Sequence, residues 1–547
     1  MALEIIPLGG CGEIGKNLNL VRYRDRTLIV DCGIAFPGED LPGVDIVVPD
    51  PTYLVSLRES VQAILLTHGH EDHVGGLPYL LPLIGNVPLY GTPLTLALIE
   101  NKLRERRLTS PIYSIKPGEP FAIGDFTVEP IRVTHSIPDC VAYAIHTPEG
   151  TLVFTGDFKF DHTPVDGKRT DFNQLARIGD KGVLLLLSDC TNAERPGWGE
   201  SESKVSDAFY TLFAQAQGRI LITSFASNIH RLQQAIDMAE VYQRKVAVLG
   251  RRMEQNMEIA LQRGYLRAHP DTLISARELD DYPDDRLLIL TTGSQGEPLS
   301  ALSKIAADEY PRLKIRKGDT VILSATPIPG NESLVWRTVN RLIRLGAKVF
   351  HDGLAPVHVS GHACQEELKL MISLLRPRYL APVHGEARHQ AAYFDLARQM
   401  GYRDDQMFLL ENGSVLRIVS GVPQLSESVH AGRMLVEEGM GGSVPESIIR
   451  DRRQLAREGI LVAIVTVRAQ TGELTDAPQF IAKGFEWQSE AQPELARQAV
   501  QQLLNQMLPA EISDWDTLRE ELVVILRRFC RKHLSRQPLI IPVVMEV

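Results

Sequence analysis

Leu65-Leu66-Thr67-His68-Gly69-His70-Glu71-Asp72-His73 decides how the rest of the chain is read. The apolar run Val61 to Leu66 predicts a buried strand. It empties into three histidines and two carboxylates within six residues, His68 to His73. Gly75 and Gly76 follow, and the apolar run Leu77 to Ile84 predicts a helix. Imidazole and carboxylate at that density, at the end of a strand, suit a divalent transition metal. His68 and His70 are two residues apart, so in extended backbone they point the same way. Asp72 and His73 fall at the turn into the helix, where they could face a second ion. One loop can therefore feed two metals.

The other bounds are those of a soluble, multidomain chain. At 547 residues it is too long for one ordinary core, so roughly two to four domains are expected. No apolar run reaches the length of a membrane span, and the N-terminus lacks the charged-then-apolar pattern of a signal peptide. Cys11, Cys32, Cys140, Cys190, Cys364 and Cys530 are scattered and form no CxxC pair. That pattern points to a reducing cytoplasm and away from a thiolate metal site. The net charge of −10 argues against a generic polyanion binder, although a large acidic enzyme can still carry a local basic channel.

Along the chain, apolar strands repeatedly deliver polar residues. Leu3 to Leu8 runs into the glycine-rich Gly9 to Asn17, which lacks the dinucleotide-binding spacing and reads better as a tight loop. Asp31 ends a strand before Cys32-Gly33, where a carboxylate could orient a ligating histidine or simply close a turn. Phe126 to Val133 delivers His135, Thr151 to Thr155 delivers Asp157, and Gly182 to Leu187 delivers Asp189. Alone, His135 and Asp157 would be a hydrogen-bonding histidine and a turn aspartate. Beside the His68–His73 cluster they become ligand candidates, with Asp157 the carboxylate that two ions could share.

From about Ser201, strands and helices alternate, which predicts a parallel sheet covered on both faces. Its strand ends carry small polar loops at Ser224 to Asn228, Thr291 to Pro298 and Ser324 to Asn331. These suit phosphate at helix N-termini or, equally, ordinary capping. Ligand-type residues return at His358 to His362, and at His384 after the strand Tyr379 to Val383. The α/β segment therefore reads as an insertion. The expected division is 1–200 and 356–452 for a metal-binding domain, 201–355 for the insertion, 453–488 for a linker region and 489–547 for a C-terminal domain. In that last part Ser489 to Met507 and Trp515 to His533 predict amphipathic helices. Arg527, Arg528, Arg531, Lys532 and Arg536 make it locally basic. A solvated helix face explains that; nucleic-acid contact or assembly is the sharper alternative.

These residues carry a resemblance. HxHxDH at His68 to His73, then His135 and Asp157, resembles the metallo-β-lactamase superfamily. The insertion, with Asp189 before it and His362 and His384 after it, resembles the β-CASP nucleases. GGCGEIGKN (from Gly9), THGHEDHVGGLPYLL (from Thr67), SDCTNAERPG (from Ser188), TTGSQGEP (from Thr291), HVSGHA (from His358) and PVHGE (from Pro382) resemble the ribonuclease J family. The resemblance covers essentially the whole chain. It implies an α/β fold: a metallo-β-lactamase αββα sandwich, an inserted parallel-sheet β-CASP domain and a small α+β C-terminal domain.

The resemblance also implies chemistry. The expected activity is a ribonuclease acting 5′ to 3′ on single-stranded RNA, preferring a 5′-monophosphate and also cutting internally, in RNA maturation and mRNA decay. It implies two divalent metal ions, zinc or manganese. His68, His70 and His135 would hold one, Asp72, His73 and His384 the other, and Asp157 would bridge them. His358, Val359, Ser360, Gly361 and His362 would contact substrate phosphate. Asp72 would take a proton from water, His362 would protonate the leaving 3′-oxygen, and Asp189 could orient that histidine. In some members residues matching Gly43, Asp45 and Asp451 bind calcium. A homodimer or homotetramer is implied, with RNA-degradation complexes as partners. Two rivals are a small-molecule hydrolase, which has no use for a long inserted domain, and a non-catalytic RNA-binding subunit, which has no use for a complete ligand set.

Overall fold

The structure, a computed structural model, describes residues 2–38, 40–297, 300–328, 331–437, 442–468, 473–507 and 514–546. By contacts it divides into two compact units: residues 1–36 with 46–434, and residues 37–45 with 435–547.

In the first unit, strand alternation builds two layers from one sheet. Along the strand Val141–Thr147, Val141, Tyr143 and Ile145 enter one core, while Ala142 and Ala144 enter another. That strand belongs to a six-stranded sheet ordered Tyr379–Val383, Leu185–Asp189, Gly150–Phe154, Val141–Thr147, Phe126–Arg132, Phe121–Ile123. An eight-stranded sheet, with Leu3–Gly9, Leu18–Tyr23, Arg26–Val30 and Val61–Leu65 at its centre, faces it. Leu3, Ile5, Leu28 and Leu65 of one sheet pack with Tyr143, Ile145, Leu152 and Leu187 of the other. Leu175, Leu368, Met371 and Leu396, from helices Phe172–Lys181, Gln365–Leu375 and Ala387–Gln399, cover the outer face of the six-stranded sheet.

Strand direction positions the site. Arg26–Val30 and Val61–Leu65 are parallel. Gly150–Phe154, Leu185–Asp189 and Tyr379–Val383 are also parallel, with Asp189 beside Val383. Parallel strands bring their C-terminal ends to the same edge, where α/β sites are built. The residues that follow these strands therefore gather without any long loop.

The inserted segment is a five-stranded, all-parallel sheet ordered Lys245–Leu249, Leu287–Thr291, Ile220–Thr223, Thr320–Leu323, Lys348–Phe350. Ile220, Ile222 and Leu288 fill one face and Leu221, Ile289 and Val321 the other, so its strands read as unbroken apolar runs. Capping accounts for part of its small polar loops. The Asn228 side chain accepts from the Arg231 amide at 3.1 Å, and Ser300 caps the helix Ala301–Ala306. Pro298, Pro329 and Gly330 of those loops lie outside the described residues.

The second unit corrects one boundary. The segment 453–488, expected as a linker region, carries the strands Ile460–Val467 and Gln479–Lys483. They pair antiparallel with each other, and Ile460–Val467 pairs parallel with Leu539–Glu546 along its length. Helices Ala491–Gln506 and Trp515–His533 pack on one face through Val500, Leu504, Leu518, Leu522 and Leu526. The apolar run from Leu461 is visible in the sequence. So is the closing run Pro538 to Val544; that the two pair is not, because they lie more than seventy residues apart.

Candidate metal centre and active site

Two donor sets meet on one carboxylate. His68, His70, His135 and Asp157 form the first, and Asp72, His73, Asp157 and His384 the second. Within each set the donor atoms lie within 4.8 Å of one another. The two oxygens of Asp157 divide between them. Oδ2 lies 3.7 Å from Nε2 of both His68 and His135. Oδ1 lies 3.2 Å from His73 Nε2 and 3.4 Å from His384 Nδ1.

Both sets fit a cation. His70 Nδ1 is 3.1 Å from His68 Nε2 and 3.1 Å from His135 Nε2, so three ring nitrogens converge. Asp157 Oδ1 is a buried oxygen without a hydrogen-bond partner among the described residues, which is costly unless a cation satisfies it. Burial holds His68 and His135 well below the usual imidazole range and His70 at about 4. They are thus neutral, as ligands must be. Burial also pulls on His73 and His384, but the carboxylate of Asp157, with Asp72 beside it, outweighs that. His73 is raised well above its ordinary value and His384 to about 10. This half of the site attracts positive charge, which a divalent ion supplies in place of protons.

Residues behind the donors fix their rings. Asp31 Oδ2 lies 2.7 Å from His73 Nδ1, and Asp31 Oδ1 accepts from the Thr67 amide at 2.8 Å. Of the two readings open for Asp31, the structure gives the histidine-orienting one. His135 Nδ1 donates to the Gly361 carbonyl at 2.7 Å, which turns Nε2 towards Asp157. Two glycines are required by contact. A Cβ on Gly361 would lie 2.5 Å from His135 Cε1, and one on Gly33 would lie 1.6 Å from the Asp72 carbonyl oxygen. Glu71, the remaining acid of the His68–His73 loop, instead pairs with Lys102.

The residues after the insertion join the same edge. His362 Nδ1 lies 2.8 Å from Asp189 Oδ2 and 3.9 Å from Asp157 Oδ2. Asp157, Asp189, His362 and His384 form a third grouping of donors. Two of its four members already serve the other sets, so the close Asp189–His362 pair reads as a hydrogen-bonded dyad. Asn192, to which the sequence reading gave no role, donates to Ser360 Oγ at 2.7 Å and to the His362 carbonyl at 3.0 Å. Thr191 Oγ1 lies 3.0 Å from His384 Nδ1. They lie two and three residues after Asp189, and that nearness is the signal that could have found them. Gly361 and His362 lie beside His135, whereas the Val359 side chain is buried in the core. Only its backbone can face a phosphate.

Gly43, Asp45 and Asp451 all belong to the second unit. Asp45 and Asp451 are exposed, and the Gly43 carbonyl accepts from Arg452 Nη1 at 3.1 Å. Among the described residues, no helix is long and apolar enough to cross a membrane.

Comparisons with known proteins agree with this geometry. Residues 12–250 match the metallo-β-lactamase superfamily and residues 217–342 the ribonuclease J β-CASP domain. Residues 353–405 match a Zn-dependent metallo-hydrolase RNA specificity domain, and residues 447–547 the ribonuclease J C-terminal domain. The chain is 44% identical to ribonuclease J of Thermus thermophilus over 100% of its own length and 95% of the relative's. It is 40% identical to ribonuclease J2 of Bacillus subtilis, over 100% and 99%, and 38% identical to ribonuclease J of Mycobacterium tuberculosis, over 100% and 97%. A crystal structure of an Enterococcus faecalis protein of unknown function superposes with a TM-score of 0.55 at 18% identity, covering 76% of this chain and 100% of that one; it speaks for the fold alone. With four family domains in order and relatives matched end to end, the chain belongs to the ribonuclease J family of metal-dependent RNA hydrolases.

Proposed function

We propose that this ribonuclease degrades single-stranded RNA from the 5′ end, prefers a 5′-monophosphate, and also cuts internally, in RNA maturation and mRNA decay. The observation that carries the reading is the pair of donor sets sharing Asp157, with the Asp189–His362 dyad beside them. His68, His70 and His135 would hold one divalent ion, and Asp72, His73 and His384 the other, with Asp157 available to both. Zinc suits these nitrogen and oxygen donors, and manganese can replace it. Calcium at Gly43, Asp45 and Asp451 has an obstacle, since the Arg452 guanidinium already sits on the Gly43 carbonyl.

When bound, the two ions lower the pKa of a water and offset charge on the phosphate oxygens. The protein groups do the rest. Burial raises the Asp72 carboxyl, but His73 and His384 outweigh this and hold it well below the usual range. It is therefore ionised and can accept the proton of the attacking water. Asp189 fixes the His362 ring through Nδ1, leaving the other ring nitrogen to protonate the leaving 3′-oxygen. Burial opposes charge on His362, yet Asp189 and Asp157 raise its pKa overall, which favours the proton it must donate. The segment His358 to His362, held by Asn192, offers Ser360 and backbone groups to a phosphate. The six cysteines are free and buried, which supports a reducing cytoplasmic setting.

We also propose a homodimer or homotetramer built through the second unit. Ile481, Ile541, Val543 and Met545 are 38–46% exposed on the sheet face away from the helices. Ile541 and Ile481 both flank Val462 in register, so the apolar surface is continuous. A surface of that kind marks a contact site, for a second copy or for the proteins of an RNA-degradation complex. The basic side chains of Trp515–His533 stay exposed.

Four outcomes are expected. Asp157→Ala should lose both ions by metal analysis, while Asp271→Ala, at an exposed turn, keeps them; two ions retained in Asp157→Ala would end the bridging role. His362→Ala should keep both ions and slow single-turnover cleavage about 10²–10⁴-fold, whereas His384→Ala should loosen one ion and recover partly with excess metal. The opposite pattern reverses these roles. On labelled RNA, a 5′-monophosphate should be degraded faster than the matching 5′-triphosphate, and equal rates would remove the end preference. Ile541→Glu should lower the mass seen by light scattering; an unchanged mass would rule out that sheet face.

A further inference from the structure

Four buried charges lie away from the metal donors, between the metal-bearing strands and the inserted sheet. Arg231, on the helix Ile229–Val241, is fully buried. Its Nη2 donates to Glu202 Oε1 at 2.7 Å. Its Nη1 donates to the Ser324 carbonyl at 3.1 Å and to the Val357 carbonyl at 2.9 Å. Nε reaches Gln234 Oε1 at 3.1 Å. One guanidinium thus touches both places where the chain passes between the two sheets: Glu202 before the insertion and Val357 after it.

The network continues to the metal donors. Glu202 Oε2 lies 3.7 Å from Lys159 Nζ, which is also 3.7 Å from Asp161 Oδ2. Lys159 follows Asp157 by two residues, and its amide donates to the Thr134 carbonyl at 2.8 Å, next to His135. On the other side, Val357 opens the segment whose Gly361 carbonyl takes the His135 ring and whose His362 meets Asp189. Lys159 and Arg231 balance Asp161 and Glu202, so the set is neutral, but each member depends on its neighbours because removing one leaves an unpaired buried charge.

We infer that Arg231 is a positioning residue for His362: its planar guanidinium, fixed by Glu202, sets the base of the Val357–His362 segment and so the placement of the His362 ring against Asp189 and the reacting phosphate. The inference rests on the proton-donor reading of His362. A lysine keeps the charge but is a point donor. It cannot reach Glu202, Ser324 and Val357 with the same fork, and a misplacement on the order of 1 Å at a reacting group costs about 100-fold.

The test is a double-mutant cycle on the full-length, metal-loaded protein, using single-turnover cleavage of a 5′-monophosphorylated RNA, metal content and Tm. Arg231→Lys should keep both ions and slow cleavage about 10- to 100-fold. In a His362→Ala background the same substitution should change the rate less than about threefold, because the group it positions is gone. A purely structural role would slow both backgrounds alike. Equal slowing, or a parental rate for Arg231→Lys, overturns the inference. A parental rate for His362→Ala itself overturns the proton-donor reading and takes the inference with it. If Arg231→Lys lowers Tm too far for comparison, Glu202→Gln removes the charge that fixes the same guanidinium and must show the same dependence on His362; independence from His362 counts against the proposal.

Discussion

The Asp157 carboxylate is the constraint on which the rest depends. One oxygen faces His68 and His135 and the other faces His73 and His384. A carboxylate can serve two ions this way only if four backbone segments deliver their donors to within a few ångströms of it. The two facing sheets do that through strand direction. Val61–Leu65, Phe126–Arg132, Gly150–Phe154 and Tyr379–Val383 release His68–His73, His135, Asp157 and His384 at one edge. The apolar alternation that fills the space between the sheets holds that edge still. Leu65 and Phe154, the last residues of the first and third of these strands, are both buried in the shared core.

Around this centre, charge is arranged in layers. The three histidines of the first set are neutral because they are buried, while the second set gathers negative charge from Asp72 and Asp157. Behind them, Asp31 and the Gly361 carbonyl hold ring orientation. Further out, the Lys159–Glu202–Arg231 network ties the insertion to the strands that bear the donors. The net charge of −10 says little about this arrangement, because the groups that matter are buried and paired locally. The same buried charges make small changes costly, since a lost partner leaves a desolvated group without compensation.

Much of this was legible in the sequence, and for physical reasons. His68 to His73 combine chemistry with a short turn, so the donors could be recognised locally. His135, Asp157 and Asp189 each end an apolar strand, a pattern that survives without the fold. The unbroken apolar runs from Ile220 to Leu323 indicated a sheet buried on both faces, and that is what forms. Less legible were contacts between distant segments. Asn192 stands three residues after Asp189, which marks it as close to the site, but its partners, Ser360 and the His362 carbonyl, lie about 170 residues further on. Nothing near Arg231 announces Glu202 and Val357. The apolar runs of Ile460–Val467 and Leu539–Glu546 could each be seen as strands, but not that they pair, so a piece of sheet fell in the expected linker region. Whether the Ser224–Asn228 loop caps or binds phosphate was likewise open, until the Asn228 side chain was found on the Arg231 amide.

The central claim is that one carboxylate joins two metal sites. Anomalous diffraction from crystals of the metal-loaded protein, recorded at the absorption edge of the bound metal, addresses it directly. The account predicts two peaks on opposite sides of Asp157. One should lie among His68, His70 and His135, and the other among Asp72, His73 and His384, with each ion on a different Asp157 oxygen. A single peak, or two peaks of which one does not touch Asp157, would contradict it.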